Sequence, residues 1–87
     1  MDINTISTDW VSVNALSGIA VGSPMEMQNK NSNLLTFQEK ATKPATEDYS
    51  GRLVRYCEVY EAWAGSSEIW VRGATSSIFV NVQAVPS

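Results

Sequence analysis

The sequence predicts a small all-β protein. Three observations carry that expectation. The last stretch, Glu68 to Val85, holds two runs rich in β-branched and aromatic residues around a Gly73-Ala74-Thr75-Ser76-Ser77 turn, the signature of a hairpin. Met25-Glu26-Met27-Gln28-Asn29 and Leu34-Leu35-Thr36-Phe37-Gln38-Glu39 alternate apolar and polar residues about an Asn/Ser turn cluster, which reads as a second hairpin. Turn formers recur at short, even spacing. Five to six short strands on this rhythm give a small antiparallel β-sandwich or an open barrel.

In chain order, residues 1–8 are small and polar and read as a short arm, flexible or bound to a partner. Residues 9–87 then form the single β domain. Asp9 to Leu16 fits two patterns. Thr8 or Asp9 can cap a short helix with Trp10, Val13 and Leu16 on one side, or Val11, Val13 and Ala15 can alternate as a strand; Ser17-Gly18 ends either. Gly18 to Pro24 is an apolar triplet bracketed by glycines, a tight connection expected to tuck Ile19 and Val21 into the core. It lacks the GxxxxGK[ST] of a phosphate-binding loop.

In the strands that follow, Met25 and Met27 point inward, as do Leu35 and Phe37. Thr42 to Gly51 is the longest loop, rich in turn formers and charge, and is expected to be exposed. Arg52 to Trp63 fits both a helical stripe (Leu53, Tyr56, Cys57, Tyr60, Ala64) and, by its Val, Tyr, Cys and Trp content, a strand. The strand is preferred because its neighbours are β. In the closing hairpin Ile69 and Val71 share one face. Ile78, Val80, Val82 and Ala84 share another, with Phe79, Asn81, Gln83 and Val85 opposite.

Composition narrows function by class. Eighty-seven residues make one domain, and a chain this short buries only ~60–65% of the surface of its unfolded form. Such domains commonly gain stability from a staple or a partner. One cysteine forbids an intrachain disulfide, and the absence of histidine removes the commonest metal ligand, so no cofactor or metal is expected and subunit association is the remaining supplement. Net charge is −3, with Lys30, Lys40, Lys43, Arg52, Arg55 and Arg72 scattered, which argues against nucleic acid as a partner. No apolar run approaches the ~20 residues of a membrane span, and the first residues lack the pattern of a signal peptide. A free cysteine without an export signal fits synthesis in a reducing cytoplasm.

No constellation for catalysis is visible. A triad lacks its histidine base. Cys57 reads as a small core hydrophobe within a strand. Glu47-Asp48 and Glu58/Glu61 read as solvated surface rather than paired catalytic carboxylates, and residues 42–51 lack the ligand order of a calcium loop. The chain is therefore expected not to be an enzyme. Trp10, Trp63, Trp70, Tyr49, Tyr56 and Tyr60 can serve as core, as subunit-contact anchors or as a sugar-stacking platform. The residues singled out for a subunit or partner contact are Trp10, Tyr60, Trp63, Trp70 and Arg72.

A resemblance extends this reading. Leu16-Ser17-Gly18-Ile19-Ala20-Val21-Gly22-Ser23-Pro24, then Met27-Gln28-Asn29-Lys30, Pro44, Ile69-Trp70-Val71-Arg72 and Asn81-Val82-Gln83 resemble short all-β virion proteins of tailed bacteriophages with a "TGIAVGT … IQNK … WVR … VQ" pattern. The likeness covers roughly residues 10–85 and departs from the pattern between Asp48 and Trp63. It implies a non-enzymatic structural component of the virion, made in the host bacterial cytoplasm. The first role implied is a capsid decoration (cement) protein, a homotrimer with Trp63 or Trp70 near the subunit contact that also touches the major capsid protein. The alternatives are a head–tail or tail-fibre accessory protein and a small β module that binds carbohydrate or a host surface.

Overall fold

The structure, a computed structural model, describes residues 1–86. Ser87, the last residue of the expected β domain, lies outside the described residues. The elements are β1 (Asp2–Ile6), β2 (Val11–Ser12), α1 (Val13–Ser17), β3 (Met25–Asn29), β4 (Leu35–Glu39), β5 (Arg52–Val54), β6 (Val59–Ala62), β7 (Ile69–Gly73) and β8 (Ser77–Ala84). They form two four-stranded sheets, ordered β1-β8-β3-β6 and β2-β7-β4-β5, antiparallel throughout. The all-β expectation holds. The count of five to six strands does not, since there are eight, and the two sheets are open layers rather than a barrel.

The alternating residues explain the layers. Ile3, Met25, Met27, Ala62, Ile78, Val80 and Val82 from the first sheet meet Leu35, Phe37, Val54, Ile69 and Val71 from the second, with Val13 of α1, in one buried cluster. Fully burying each large apolar side chain contributes ~1.5–3 kcal/mol. The inward faces foreseen for residues 25–29, 35–39, 69–71 and 78–82 are all present.

The connections differ from expectation. Neither anticipated hairpin forms: β3 and β8 lie in the first sheet, β4 and β7 in the second. Each pair is an arch that carries the chain from one layer to the other. Alternation cannot separate the two cases, because an arch and a hairpin demand the same apolar period and differ only in where the second strand finds its backbone partner. The turn geometry does separate them. A Cβ on Gly73 would lie 2.6 Å from the Thr75 carbonyl oxygen and 2.8 Å from that of Ser77, so this reversal folds tightly enough to exclude any side chain there.

Two further expectations are corrected. Residues 2–6 are not a loose arm; they form β1, paired along β8 from Asp2↔Asn81 to Ile6↔Ser77, with Ile3 buried. The Met1 amine also donates to the Val82 carbonyl at 2.8 Å. Polar residues at alternate positions suit an edge strand, which is why composition alone suggested an arm. Residues 52–63 are not one strand. They divide into β5 and β6 in opposite sheets, and Cys57, expected as core, sits exposed in the turn between them at φ 71°.

Residues 9–17 satisfy both readings in succession. The two residues of β2 run into α1, whose cap is Ser12 rather than Thr8 or Asp9; its hydroxyl accepts the Ala15 N–H at 3.1 Å. Asn14, buried in α1, donates to the Ile19 carbonyl and accepts the Ile69 N–H at 2.9 Å, pinning the helix to β7. Ile19 is partly buried as foreseen, but Val21 stays 54% exposed.

Register places the β1–β2, β3–β4, β5–β6 and β7–β8 arches at one end of the molecule, through Ile6↔Ser77, Leu35↔Gly73, Leu35↔Val54 and Gln28↔Val59. Asn29, fully buried there, joins two of them directly and a third through Asn31. Its amide donates to the Val54 carbonyl at 2.9 Å and the Asn33 carbonyl at 3.1 Å, and its side-chain oxygen accepts the Asn31 N–H at 2.7 Å. Asn31 in turn donates to the Ser77 carbonyl. What reads in sequence as a solvated turn cluster is a polar node that satisfies buried backbone groups.

Candidate functional site

The five residues expected at a partner contact fall into two regions. Trp10 and Arg72 are committed within the chain. Arg72 projects from the outer face of β7, yet is only 7% exposed, because residues 8–10 and 46–49 roof it. Its guanidinium donates to the Thr46 and Thr8 carbonyls and lies 4.4 Å from the Tyr49 ring centroid and 5.5 Å from that of Trp10. Cation–π attraction and carbonyl acceptors thus satisfy a buried cation. Trp10, 2% exposed, donates its indole N–H to the Asp48 carbonyl at 2.9 Å.

Carboxylates lock the roof. Lys43 pairs with Asp9 at 2.6 Å, and the Asp9 carboxylate also accepts the Trp10 N–H at 2.7 Å. The Lys43 hydrogen bond first, then that of Trp10, holds the Asp9 carboxyl below its ordinary value of 3.8. Asp48 is likewise held down by the Ser50 hydroxyl, at 2.6 Å, and the Ser50 N–H.

The remaining three residues lie nearer the solvent. Trp70 is half-buried, with its indole N–H donated to the Lys40 carbonyl at 2.9 Å. Tyr60 faces inward from β6 and stacks on Phe37, with centroids 4.9 Å apart and planes 7° off parallel. Burial, then Glu39, raises its hydroxyl above the usual tyrosine value. Trp63, just past β6, is 75% exposed.

Trp63 does not stand alone. β5 and β6 are the last strands of their sheets and lie on the same side of the molecule. Along β5, the arch and the end of β6, Leu53, Tyr56 and Val59 are exposed as well, at 60%, 61% and 47%, Leu53 on the outer face of the second sheet beside Thr36 and Tyr49 and Val59 on the outer face of the first beside Glu26 and Gln28. A hollow of about 310 Å³ lined by Arg52, Val59, Tyr60, Glu61 and Trp63 runs between the two strands. Sequence reasoning placed Tyr60 and Trp63 here but missed Leu53 and Val59 as surface residues. The available signal was that residues 52–63 obeyed no single period, as a reversal at Tyr56-Cys57 requires.

This side presents apolar rings, aliphatic side chains, charged side chains and the open edges of two terminal strands. Tyr56 and Cys57 are neighbours there, and the thiol raises the Tyr56 hydroxyl above its ordinary value. Among the described residues no three His, Cys, Asp or Glu side chains gather to hold a metal ion, and no helix is long and apolar enough to cross a membrane. Comparison with family models, curated proteins and solved structures finds no match.

Proposed function

We propose that this chain is a non-enzymatic structural protein of a bacteriophage virion, acting as a capsid decoration protein that binds copies of itself and the shell. The observation that carries the reading is the run of exposed Leu53, Tyr56, Val59 and Trp63 along the two terminal strands and the arch that joins them, on a body whose other tryptophans are tied down internally. A decoration protein needs a rigid, soluble frame and a separate adhesive surface. The fold supplies the frame through sheet-to-sheet arches and the Asn29 node, and the adhesive surface through the β5–β6 side.

The residues behind the resemblance support the reading by being frame positions. Gln28 stands opposite Asn81 across β3 and β8, Asn29 is the node, and Arg72 is the clamp under the roof. The pattern describes a scaffold and contains no reacting group.

The test is to omit the protein from particle assembly. Particles lacking it should form but lose their genome more readily on heating or dilution, and adding the purified protein back should restore them. Particles equally stable with and without it would reject the proposal. Binding to a glycan array that a Trp63→Ser change abolishes would instead favour the carbohydrate module.

A further inference from the structure

We propose that two copies of this chain join through the β5–β6 side about a two-fold axis running along the strands, so that β5 of each copy lies antiparallel beside β6 of the other. The inference deepens the proposed function by naming a second copy as the occupant of the adhesive side, and it rests on that reading only for the role the pair would serve.

The first support is the state of the β6 backbone. The Asn29 N–H donates to the Glu58 carbonyl at 3.0 Å, which marks that residue pair as hydrogen-bonded in the β3–β6 ladder. Antiparallel ladders alternate. Tyr60 and Ala62 therefore direct their N–H and C=O groups toward β3, while Val59 and Glu61 direct theirs to the open edge. Such an edge accepts another strand readily.

The second support is apolar exposure. Of the ten large hydrophobic side chains exposed among the described residues, five fall within residues 49–63; Val59 and Trp63 line the hollow at this edge, and Leu53 and Val59 stand on the two outer faces that flank it. The opposite side offers less apolar surface: β1 alternates polar residues along its length, and β2 is only two residues long and passes directly into α1.

Charge then selects the partner and the axis. Arg52 and Arg55 lie on or beside β5; Glu58 and Glu61 lie on or beside β6, with Glu26 opposite Glu61 across the ladder. The ion pairs among the described residues are Lys30–Asp2 and Lys43–Asp9, so among those residues these four charges have no ionic partner, though Glu58 accepts the Arg55 N–H. A two-fold axis normal to the sheets would set β6 against β6 and β5 against β5, acid facing acid and base facing base. An axis along the strands sets the basic edge of each copy against the acidic edge of the other, twice. Like charges facing one another across a contact cost several kcal/mol. Opposite signs stacked on the same side make that side self-complementary, the requirement for a closed isologous pair. A homotrimer, the stoichiometry expected from sequence, would instead need two different contact sides.

Light scattering during size-exclusion chromatography of the whole chain tests this. The expected mass is twice the 9.5 kDa of one chain. Arg52→Glu and Glu61→Arg, each alone, should weaken association by roughly tenfold or more, with unchanged circular dichroism. An equimolar mixture of the two variants should restore the dimer, because both contacts then pair opposite charges. Val59→Lys should give monomer without loss of fold. A monomeric or trimeric wild type overturns the inference, as does a mixture that stays monomeric. None of these outcomes depends on virions. A monomer that still stabilises particles would remove the dimer and leave the proposed function standing; a dimer with no effect on particles would do the reverse.

Discussion

Trp10 and Trp63 mark the two contrasting regions of this protein. Trp10 lies under a roof of loops, its ring beside a buried guanidinium and its N–H donated to a backbone carbonyl. Trp63 stands at a sheet edge, three-quarters exposed. The same residue type closes the molecule in one place and stands open to solvent in the other. What separates them is the neighbouring chain: twelve residues between β4 and β5 fold back over β7 on one side, while a four-residue arch at β5–β6 leaves its own side bare. Apolar residue count is therefore a poor guide to which apolar side chains stay exposed; loop length above each sheet is the better one.

Substitutions at the two regions should separate sharply. The largest loss is expected for Trp10→Ala, about 4 kcal/mol of folding stability by urea denaturation, since it empties a buried ring site and strands the guanidinium. Asn29→Ala should follow at about 3 kcal/mol, because the Val54 carbonyl and the Asn31 N–H lose buried partners. Native-state hydrogen exchange should then show opening of the arches before the central strands. Arg72→Met should cost about 2 kcal/mol and raise exchange in residues 42–50, where the roof loses its anchor.

Acid should act on the roof as well. The Asp9 and Asp48 carboxyls are held below 3.8 by their hydrogen bonds, as is that of Asp2, chiefly by Asn81 and then Lys30. A depressed folded value means that the stabilisation is present above pH 3.8 and is lost as pH falls through the folded values. The urea midpoint should hold steady from neutral pH to about pH 5 and drop below pH ~3.8. Asp9→Asn should flatten that drop. Tyr60 works in the opposite sense: its raised value means that its contribution is complete below pH 10 and lost as pH rises through its folded value. The smallest effect belongs to Trp63→Ser, within about 0.5 kcal/mol of wild type by the same denaturation. A large destabilisation there would mean that Trp63 is part of the body and would erase the contrast.

Much of the frame was legible in the residues. The inward faces of β3, β4, β7 and β8 follow from strict alternation, and the exposure of most of residues 42–51 from their turn formers. Of the residues expected at a contact, Trp63 is exposed with Tyr60 beside it at the same edge, whereas Trp10 and Arg72 are buried and bonded within the chain. Burial of Arg72 was illegible because no local pattern shows that two loops, separated from it by more than twenty residues, close over a charged side chain.

The sequence by itself determined that this chain forms strands, which side chains β3, β4, β7 and β8 turn inward, and that no intrachain disulfide or histidine ligand takes part, because these depend on residue type and on a period of two. Only the tertiary structure decided that successive strands, β4 and β5 excepted, belong to opposite layers, that the N-terminal residues complete a sheet, and that β5 and β6 end their sheets on the same side. Those are choices of backbone partner. Arches and hairpins bury the same side chains, so the decision rests with long-range hydrogen bonds such as those of Asn29 and with the room left at Gly73.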